Sequence, residues 1–553
     1  MEGNRRVEDR HVHAQAFVDS REACQKPDRQ GGQVTRVAIP DGRSFRHKRA
    51  MVRTPKKLLD ELEEAKQRFG SGDEKILRAL GGLSRIRLAD ADSLIRFHET
   101  LLFLRAYPPS PSVLKQVEQI LKIFDERVAR LRDAEADLPA FDDPEVSGIV
   151  GGSVTSNFSY AIVRWLTTRY PRQVSIDWDW FEEEDQFGAT MPRFLPLLED
   201  DAMVEAHVPY RQWLRAARGR KQELSWLISR FESLPVSDRA KSEPYDSLKL
   251  HITWRYNSRS SRTGMKLPLK KVFFHDQPLI QRRDISLMAA LNSKPIPVQK
   301  VSRSEGEKIL DLARETSAVR YRELHGFTYG DPRRVLSADL GRGTLAFVVG
   351  VPAENRLPLR AYQAAIIFKN GVAVAYFEGL SIFERMESGF NLYYTFREGE
   401  TAWLYARVLR LMRQLLGVTV FSIDPYQVGH ENEEGIESGA FWFYRKLGFR
   451  PVNPELMKLT ASEELKMANS PRHRTSPRML RRLASGHMLF ELPNGRPSKQ
   501  WDKFLVRNVG LAVQRRMATN YDGDAQRIRA ESTKHIARAL DRKSTRLNSS
   551  HRT

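Results

Sequence analysis

The sequence predicts an α/β (α+β) fold: a mostly helical amino-terminal region followed by a domain built on a mixed sheet. Apolar residues recur at helical spacing between 94 and 131, β-rich segments with an Asn-Gly turn fill 343–396, and helical spacing returns at 404–415. A chain of 553 residues with 41% hydrophobic content exceeds what one core organises, so two or more domains are expected.

Residues 1–50 show almost no apolar periodicity and read as a disordered or non-native extension, with Met51 the expected true start. DRKSTRLNSSHRT, residues 541–553, reads as an artefactual or disordered tail. The chain carries 90 Lys/Arg against 69 Asp/Glu, a net charge of +21, which suits an anionic partner. The two ends hold 11 against 7 and 4 against 1, so about two thirds of the excess lies in the body. Neither an apolar run of membrane-spanning length nor a charged segment leading into an apolar h-region is present, so no membrane span or secretory signal is expected and a cytoplasmic location is. With Cys24 the only cysteine, a disulfide framework and a Cys-rich zinc site are both excluded, and no metal site is expected.

Residues 51–300 are expected to form a mostly helical domain of unassigned role. MVRTPKKLLDELEEAKQRFG reads as helix from Met51. Leu94, Ile95, Phe97, Leu101, Leu102 and Leu104 follow helical spacing until Pro108 and Pro109, and Ser110-Pro111 offers an N-cap and first-turn proline for a second run from Val113 to Leu131. The two form an expected antiparallel helix pair. Further helices are expected near 157–169 and 209–232. GIVGGSVTS (148–156) has the glycines and hydroxyls of a phosphate-cradling loop but not the Walker lysine, which favours a flexible turn. Asp177 and Asp179 would share a strand face able to hold a hard divalent cation, although an acidic edge strand is the commoner outcome. Glu205 with His207, and His275 with Asp276, lack a third ligand and read as surface or capping histidines. Serine-hydrolase chemistry finds no Gly-x-Ser-x-Gly motif.

Residues 301–455 are expected to be a second domain. Ser304 and Glu307 have capping-box spacing before a helix whose core face is Ile309, Leu310, Leu312, Ala313 and Val319. Strands are expected at 343–351, 360–368, 372–380 and 389–396, the middle two joined through Lys369-Asn370-Gly371. Arg397-Glu398-Gly399-Glu400-Thr401-Ala402 then leads into a helix with Leu404, Val408, Leu411, Met412 and Leu415 on one face, closed by Gly417. A short strand (418–424), a polar loop, a helix at ESGAFWFYRKLGF (437–449) and a strand from Arg450 complete the domain, and 456–540 reads as a basic helical tail.

This order resembles the GNAT (N-acetyltransferase) superfamily over about residues 305–453. SGAFWFYRKLGFRPV is similar to the family's last helix and following strand through Phe443, Tyr444, Lys446, Leu447, Gly448 and Phe449. Arg397–Ala402 is similar to its pyrophosphate loop, Arg/Gln-x-x-Gly-x-Gly/Ala, with Arg397 and Ala402 in place and Glu400 where the family has glycine. The resemblance implies a mixed-sheet acyltransferase domain with acetyl-CoA or another acyl-CoA as co-substrate. It implies that Arg397, Glu398, Gly399, Glu400, Thr401 and Ala402 bind the donor, and that Tyr444 stands near the thiol sulfur.

Independently of the resemblance, N–H groups at a helix N-terminus suit a diphosphate. Glu398 and Glu400 oppose an anion there, and an acidic first turn that serves the helix dipole is the competing reading. Acyl transfer to an amine needs a base, an oxyanion donor and an acid for the departing thiolate. Glu378, on the second hairpin strand, is the expected base, with Glu384 and Asp424 behind it. Tyr444 offers a neutral phenol as acid, or serves as a core aromatic. The loop His430–Glu434 either selects a cationic acceptor or is simply solvated. The expected function is acyl-CoA-dependent N-acyl transfer to a small-molecule or peptide amine. The alternative is a non-catalytic basic binding or regulatory protein on a degenerate scaffold of the same fold. Nucleic-acid binding through the basic stretch from Arg472 to Arg482 ranks lower, because few aromatics interleave the charge for base stacking.

Overall fold

A computed structural model describes residues 54–70, 73–134, 139–195, 208–493 and 501–549. The readings placed on Met51, Glu205 and His207 lie outside the described residues. The expected α/β class is borne out: helices lead, and a long strand-rich segment follows. The chain divides into two compact units. The first takes the described residues up to Arg356, with Ala361–Ser381 and Glu387–Val418; the second takes Leu357–Arg360, Ile382–Met386 and the described residues from Thr419 onward.

The first unit opens with α1 (Pro55–Ala65), α2 (Glu74–Arg85), α3 (Ala91–Ala106), α4 (Pro111–Lys122) and α5 (Phe124–Arg132). Ser110 caps α4 as expected, accepting the Val113 N–H at 3.3 Å. The run to Leu131 is two helices rather than one, broken at Ile123, whose backbone leaves the helical region at φ −114° and ψ 21°. The break lets Phe124 bury against Phe97 and His98, with ring centroids at 6.4 and 5.0 Å.

A small antiparallel sheet follows, with β3 (Ile252–Arg255) between β1 (Ser153–Ser156) and β2 (Val174–Ile176). α6 (Tyr160–Arg169), α7 (Tyr210–Arg218), α8 (Glu223–Ser233) and α9 (Asp238–Ser247) pack around it, burying Trp254, Phe231 and Tyr245. Residues 148–152 form the expected turn, with Gly148 and Gly151 at positive φ. The paired-aspartate reading is corrected. β2 stops at Ile176, and Asp177 folds back to accept the Asp179 N–H at 3.3 Å, starting a 3-10 turn. Asp177 and Asp179 therefore share no strand face, and among the described residues no group of three or more His, Cys, Asp or Glu side chains forms a metal site.

β4 (Val298–Lys300) leads to α10 (Arg303–Ala318), which is capped by Ser302 accepting the Glu305 N–H at 3.2 Å. The expected Ser304–Glu307 box does not form; Glu307 meets Arg303 at the surface instead. An antiparallel meander continues through β5 (Val335–Gly341), β6 (Thr344–Val349), β7 (Ala361–Lys369), β8 (Val372–Ile382) and β9 (Arg385–Leu392), stacked in the order β4-β5-β6-β7-β8-β9. Asn370 and Gly371 both sit at positive φ, 46° and 81°, the backbone a two-residue hairpin requires. β9 ends early: Tyr394–Phe396, expected as strand, forms a 3-10 turn. α11 (Thr401–Leu416) then runs as expected to Gly417, in the left-handed conformation at φ 69°.

The chain does not divide near residue 300. Trp165 donates to Asp311 at 2.9 Å, Ala318 and Val319 join the core around Trp254, and Asn370 Nδ2 donates to the Ala106 carbonyl at 2.9 Å. These bonds tie α10 and the meander to the helices that precede them.

The second unit holds β10 (Val420–Ile423), α12 (Ala440–Lys446), β11 (Arg450–Pro451), α13 (Pro454–Asn469), α14 (Pro477–Leu483), β12 (Met488–Glu491), α15 (Val506–Tyr521) and α16 (Ala525–Ser549). The expected helix over 437–449 is interrupted by Gly439 at φ 65°, so only Ala440–Lys446 continues into the Gly448 turn. The tail is not purely helical either. β12 lies between β10 and β11, antiparallel to both, with Phe421 opposite Phe490 and Arg450 opposite Leu489. α16 extends to Ser549, so residues 541–549, expected to lack structure, are helical. Among the described residues no helix is long and apolar enough to cross a membrane.

Gly306, in the second turn of α10, lies so close to Pro332 that a Cβ would stand 2.1 Å from its carbonyl oxygen. Helix propensity alone favours alanine over glycine by about 1 kcal/mol. The clash reverses that sign: Gly306→Ala is expected to cost about 1–3 kcal/mol, read as a lower urea midpoint. A raised midpoint would mean that propensity outweighs packing here.

Candidate functional site

The approach to the 397–402 loop is held by a buried polar cluster. Glu99 on α3 accepts both arms of Arg262, at 2.8 and 3.0 Å, and the His98 Nδ1 at 2.9 Å, and the Thr395 hydroxyl donates to it. Burial opposes a charge on Glu99, yet Arg262 holds its carboxyl far below the usual carboxylate range. The Arg320 guanidinium stands 3.8 Å above the Tyr393 ring, and the Tyr393 N–H donates to the Val374 carbonyl at 3.0 Å. The 3-10 turn before the loop is thus anchored to α3, to β8 and to the end of α10.

Glu400, the residue that departs from the phosphate-loop pattern, turns inward. Its carboxylate is fully buried and meets Arg342 Nη2 at 2.6 Å, Lys369 Nζ at 3.2 Å and the Ile280 N–H at 3.2 Å. Burial works to raise its pKa, but Lys369 and Arg342 together hold it below the ordinary value. Lys369 is fully buried as well; desolvation pushes its ammonium down to about 8, with Glu400 resisting. Lys369 also donates to the Arg342 carbonyl at 2.6 Å and lies 5.0 Å from the centre of the Tyr107 ring. His275, expected at the surface or as a cap, is buried among Phe69, Tyr107 and Phe273. Burial first, then Lys369 and Arg342, lowers its pKa to about 3, so it is neutral at pH 7 and its Nδ1 accepts from Arg342 at 3.3 Å.

The surroundings of the loop change how it reads. The Glu400 carboxylate was counted against an anion at the α11 N-terminus, but here it is matched by two cations. It makes no side-chain cap bond to α11, whose first-turn amides lack acceptors within the helix. The space beside Gly399 is taken by Tyr107, whose hydroxyl would stand 2.5 Å from a Cβ. The other loop side chains have partners too: Arg397 pairs with Glu145 at 3.4 Å and exposed Glu398 with Lys66 at 2.8 Å. Thr401 donates its hydroxyl to the Arg397 carbonyl at 3.1 Å, and Ala402 is buried.

Glu378 lies on β8 opposite Ala364, five residues along β7 from Lys369. At about 3.4 Å per residue the Glu378 position stands roughly 17 Å from the Glu400 cluster, so strand geometry does not bring the two together. Its carboxylate is buried and accepts the Tyr362 hydroxyl, which in turn accepts the Gly326 N–H at 3.0 Å. Desolvation raises its pKa to about 7, against the pull of Tyr362. Tyr444, in the second unit, is buried on α12 between Phe443 and Phe449, with ring centroids at 5.2 and 5.7 Å. Burial raises its phenol pKa well above the usual value, so it stays protonated.

Sequence reasoning missed Lys369, Arg342 and Tyr362 as site residues and put the buried His275 at the surface. Lys369 did leave a signal, a lone cation closing the apolar run Ala364-Ala365-Ile366-Ile367-Phe368, but nothing in the sequence pairs it with a residue 31 positions away. Removing one member of a buried ion cluster leaves an uncompensated charge, so Glu400→Gln is expected to cost about 3–5 kcal/mol in urea denaturation. Glu400→Leu combined with Lys369→Met should lose less than the sum of the single changes; additive losses would contradict the pairing. For Glu378 the sign is opposite. Its raised folded pKa means the native state binds the extra proton between about pH 4.5 and 7, so its contribution falls as pH rises through that window. Glu378→Gln should therefore be the more stable protein at about pH 8, by roughly 3 kcal/mol, with the advantage gone below about pH 4.5 in thermal melts. Comparison with family models, with curated proteins and with solved structures finds no match to this chain.

Proposed function

We propose that the chain is an acyl-CoA-dependent N-acyltransferase of GNAT type, acting on an amine, amino acid or peptide acceptor. One observation carries the reading: the Glu400 carboxylate is drawn into the Lys369–Arg342 cluster instead of standing as a free anion at the start of α11. The 16-residue helix that follows then presents its N-terminal dipole to a diphosphate beside a cluster whose cations outnumber its single carboxylate. In the reaction the acceptor nitrogen attacks the thioester carbonyl, a C–N bond forms, the C–S bond breaks and the thiolate leaves. The nitrogen's proton goes to a base and the thiolate gains one from an acid. A carboxylate with its pKa near 7 suits the first role, and Glu378 is such a group.

The ion pairs that occupy Arg397 and Glu398 favour the other reading, a scaffold of this type without a donor. Calorimetric titration of acetyl-CoA into the full chain separates the two. The transferase reading expects micromolar affinity, weakened at least tenfold by Arg397→Glu, with Glu378→Gln leaving affinity unchanged and lowering acetyl-CoA-dependent turnover of a primary amine by about two orders of magnitude. No heat with the parent protein would sink it in favour of the scaffold.

A further inference from the structure

The N-terminus of α6 meets two carboxylates from distant parts of the first unit. The Ser159 N–H donates to Glu323 Oε1 at 2.7 Å, and the Tyr160 N–H donates to Asp246 Oδ1 at 2.8 Å. Each acid accepts one backbone amide, and the Ser159 side chain also bears on Glu323. Between the two acids lies a cavity of about 210 Å³, lined also by Tyr245, Phe158, Leu250 and Lys249. Tyr245 is 1% exposed, and its hydroxyl is buried without a hydrogen-bond partner. A buried hydroxyl left unpaired beside two carboxylates is costly, and a ligand carrying donors would relieve it. Lys249 does not fill that need, because its ammonium is engaged by Glu183 at 2.6 Å.

We infer that this cavity binds a primary alkylammonium group, its N–H donors directed to Glu323, Asp246 and Tyr245 and its aliphatic stem against Phe158 and Leu250. A divalent metal fits less well, since two carboxylates have no third acidic, histidine or cysteine ligand among the described residues. A quaternary ammonium lacks the donors that three oxygens call for. The charges agree. Burial raises Glu323 to about 7 against the pull of Ser159, with Asp246 adding to the rise, and burial raises Asp246 to about 6 against the pull of the Tyr160 amide, so a cation beside them would favour their charged forms. The other titratable groups facing the pair are the phenols of Tyr245 and Tyr329, both held above their usual pKa by burial, the Lys249–Glu183 ion pair, and Arg164, which acts on Tyr329. The site does not depend on the acyltransferase reading.

The test is calorimetry on the full chain at about pH 8, where an alkylamine is charged, with n-butylamine, tetramethylammonium and magnesium as probes. Saturable heat is expected with n-butylamine alone, fading as the buffer is taken down to about pH 5 and both acids take up protons. Glu323→Gln, whose amide oxygen can still accept from Ser159, should weaken binding at least tenfold. Tyr245→Phe, which removes one oxygen and keeps the ring, should weaken it severalfold with the melting temperature held. Absence of saturable heat with n-butylamine, equal affinity for tetramethylammonium, displacement by magnesium, or unchanged affinity in both variants would each overturn the assignment.

Discussion

The buried contact between Glu400, Lys369 and Arg342 ties four separate segments of the first unit together. An unpaired carboxylate or ammonium cannot be left in an apolar interior without a cost of several kcal/mol, so each of these groups dictates where the others must lie. Glu400 begins α11, Lys369 ends β7, Arg342 turns the corner from β5 to β6, and Ile280 adds a backbone amide from the segment before α10. One carboxylate thus fixes a helix terminus against one end of the meander. Tyr107 and His275 close the apolar walls around it and keep water from screening it.

The same constraint redirects the chemistry of the loop. A glutamate beside a helix N-terminus repels a phosphate when it faces solvent and ceases to do so once two cations neutralise it. Glu378 shows the opposite outcome for the same side chain. It is equally buried, but its partner is a neutral phenol, so desolvation wins and the acid form persists to near pH 7. Two glutamates of one sheet-and-helix unit are separated in protonation by whether a cation or a hydroxyl reaches them. Glu323 and Asp246 follow the Glu378 pattern, raised by burial with neutral donors beside them.

The divisions of the chain follow contacts rather than composition. The helices before residue 135 and the meander after residue 335 look like separate domains because their periodicities differ. They belong to one unit because Asn370 reaches the Ala106 carbonyl, Glu99 reaches Thr395, and Val319 enters the Trp254 core. In the second unit the stretch after 455 carries the charge and spacing of a helical tail, yet Met488–Glu491 pairs with two strands. Four apolar residues between Gly486 and Pro493 hold too little periodic information to announce a strand.

What the sequence by itself determined is local. Ser110-Pro111 starts α4, Asn370-Gly371 turns a hairpin, Gly417 ends α11, and the apolar faces of α3, α10 and α11 are legible, because capping, positive φ and 3.6-residue spacing are properties of neighbouring residues. The loop 397–402 could be found the same way, but not its state. Whether Glu400 faces a ligand or a lysine, whether Gly399 admits a phosphate or a tyrosine ring, and whether Glu378 is charged at pH 7 depend on residues tens to hundreds of positions away. Only the tertiary structure decided these, since a side chain's protonation and accessibility are set by the dielectric and the partners that folding brings to it.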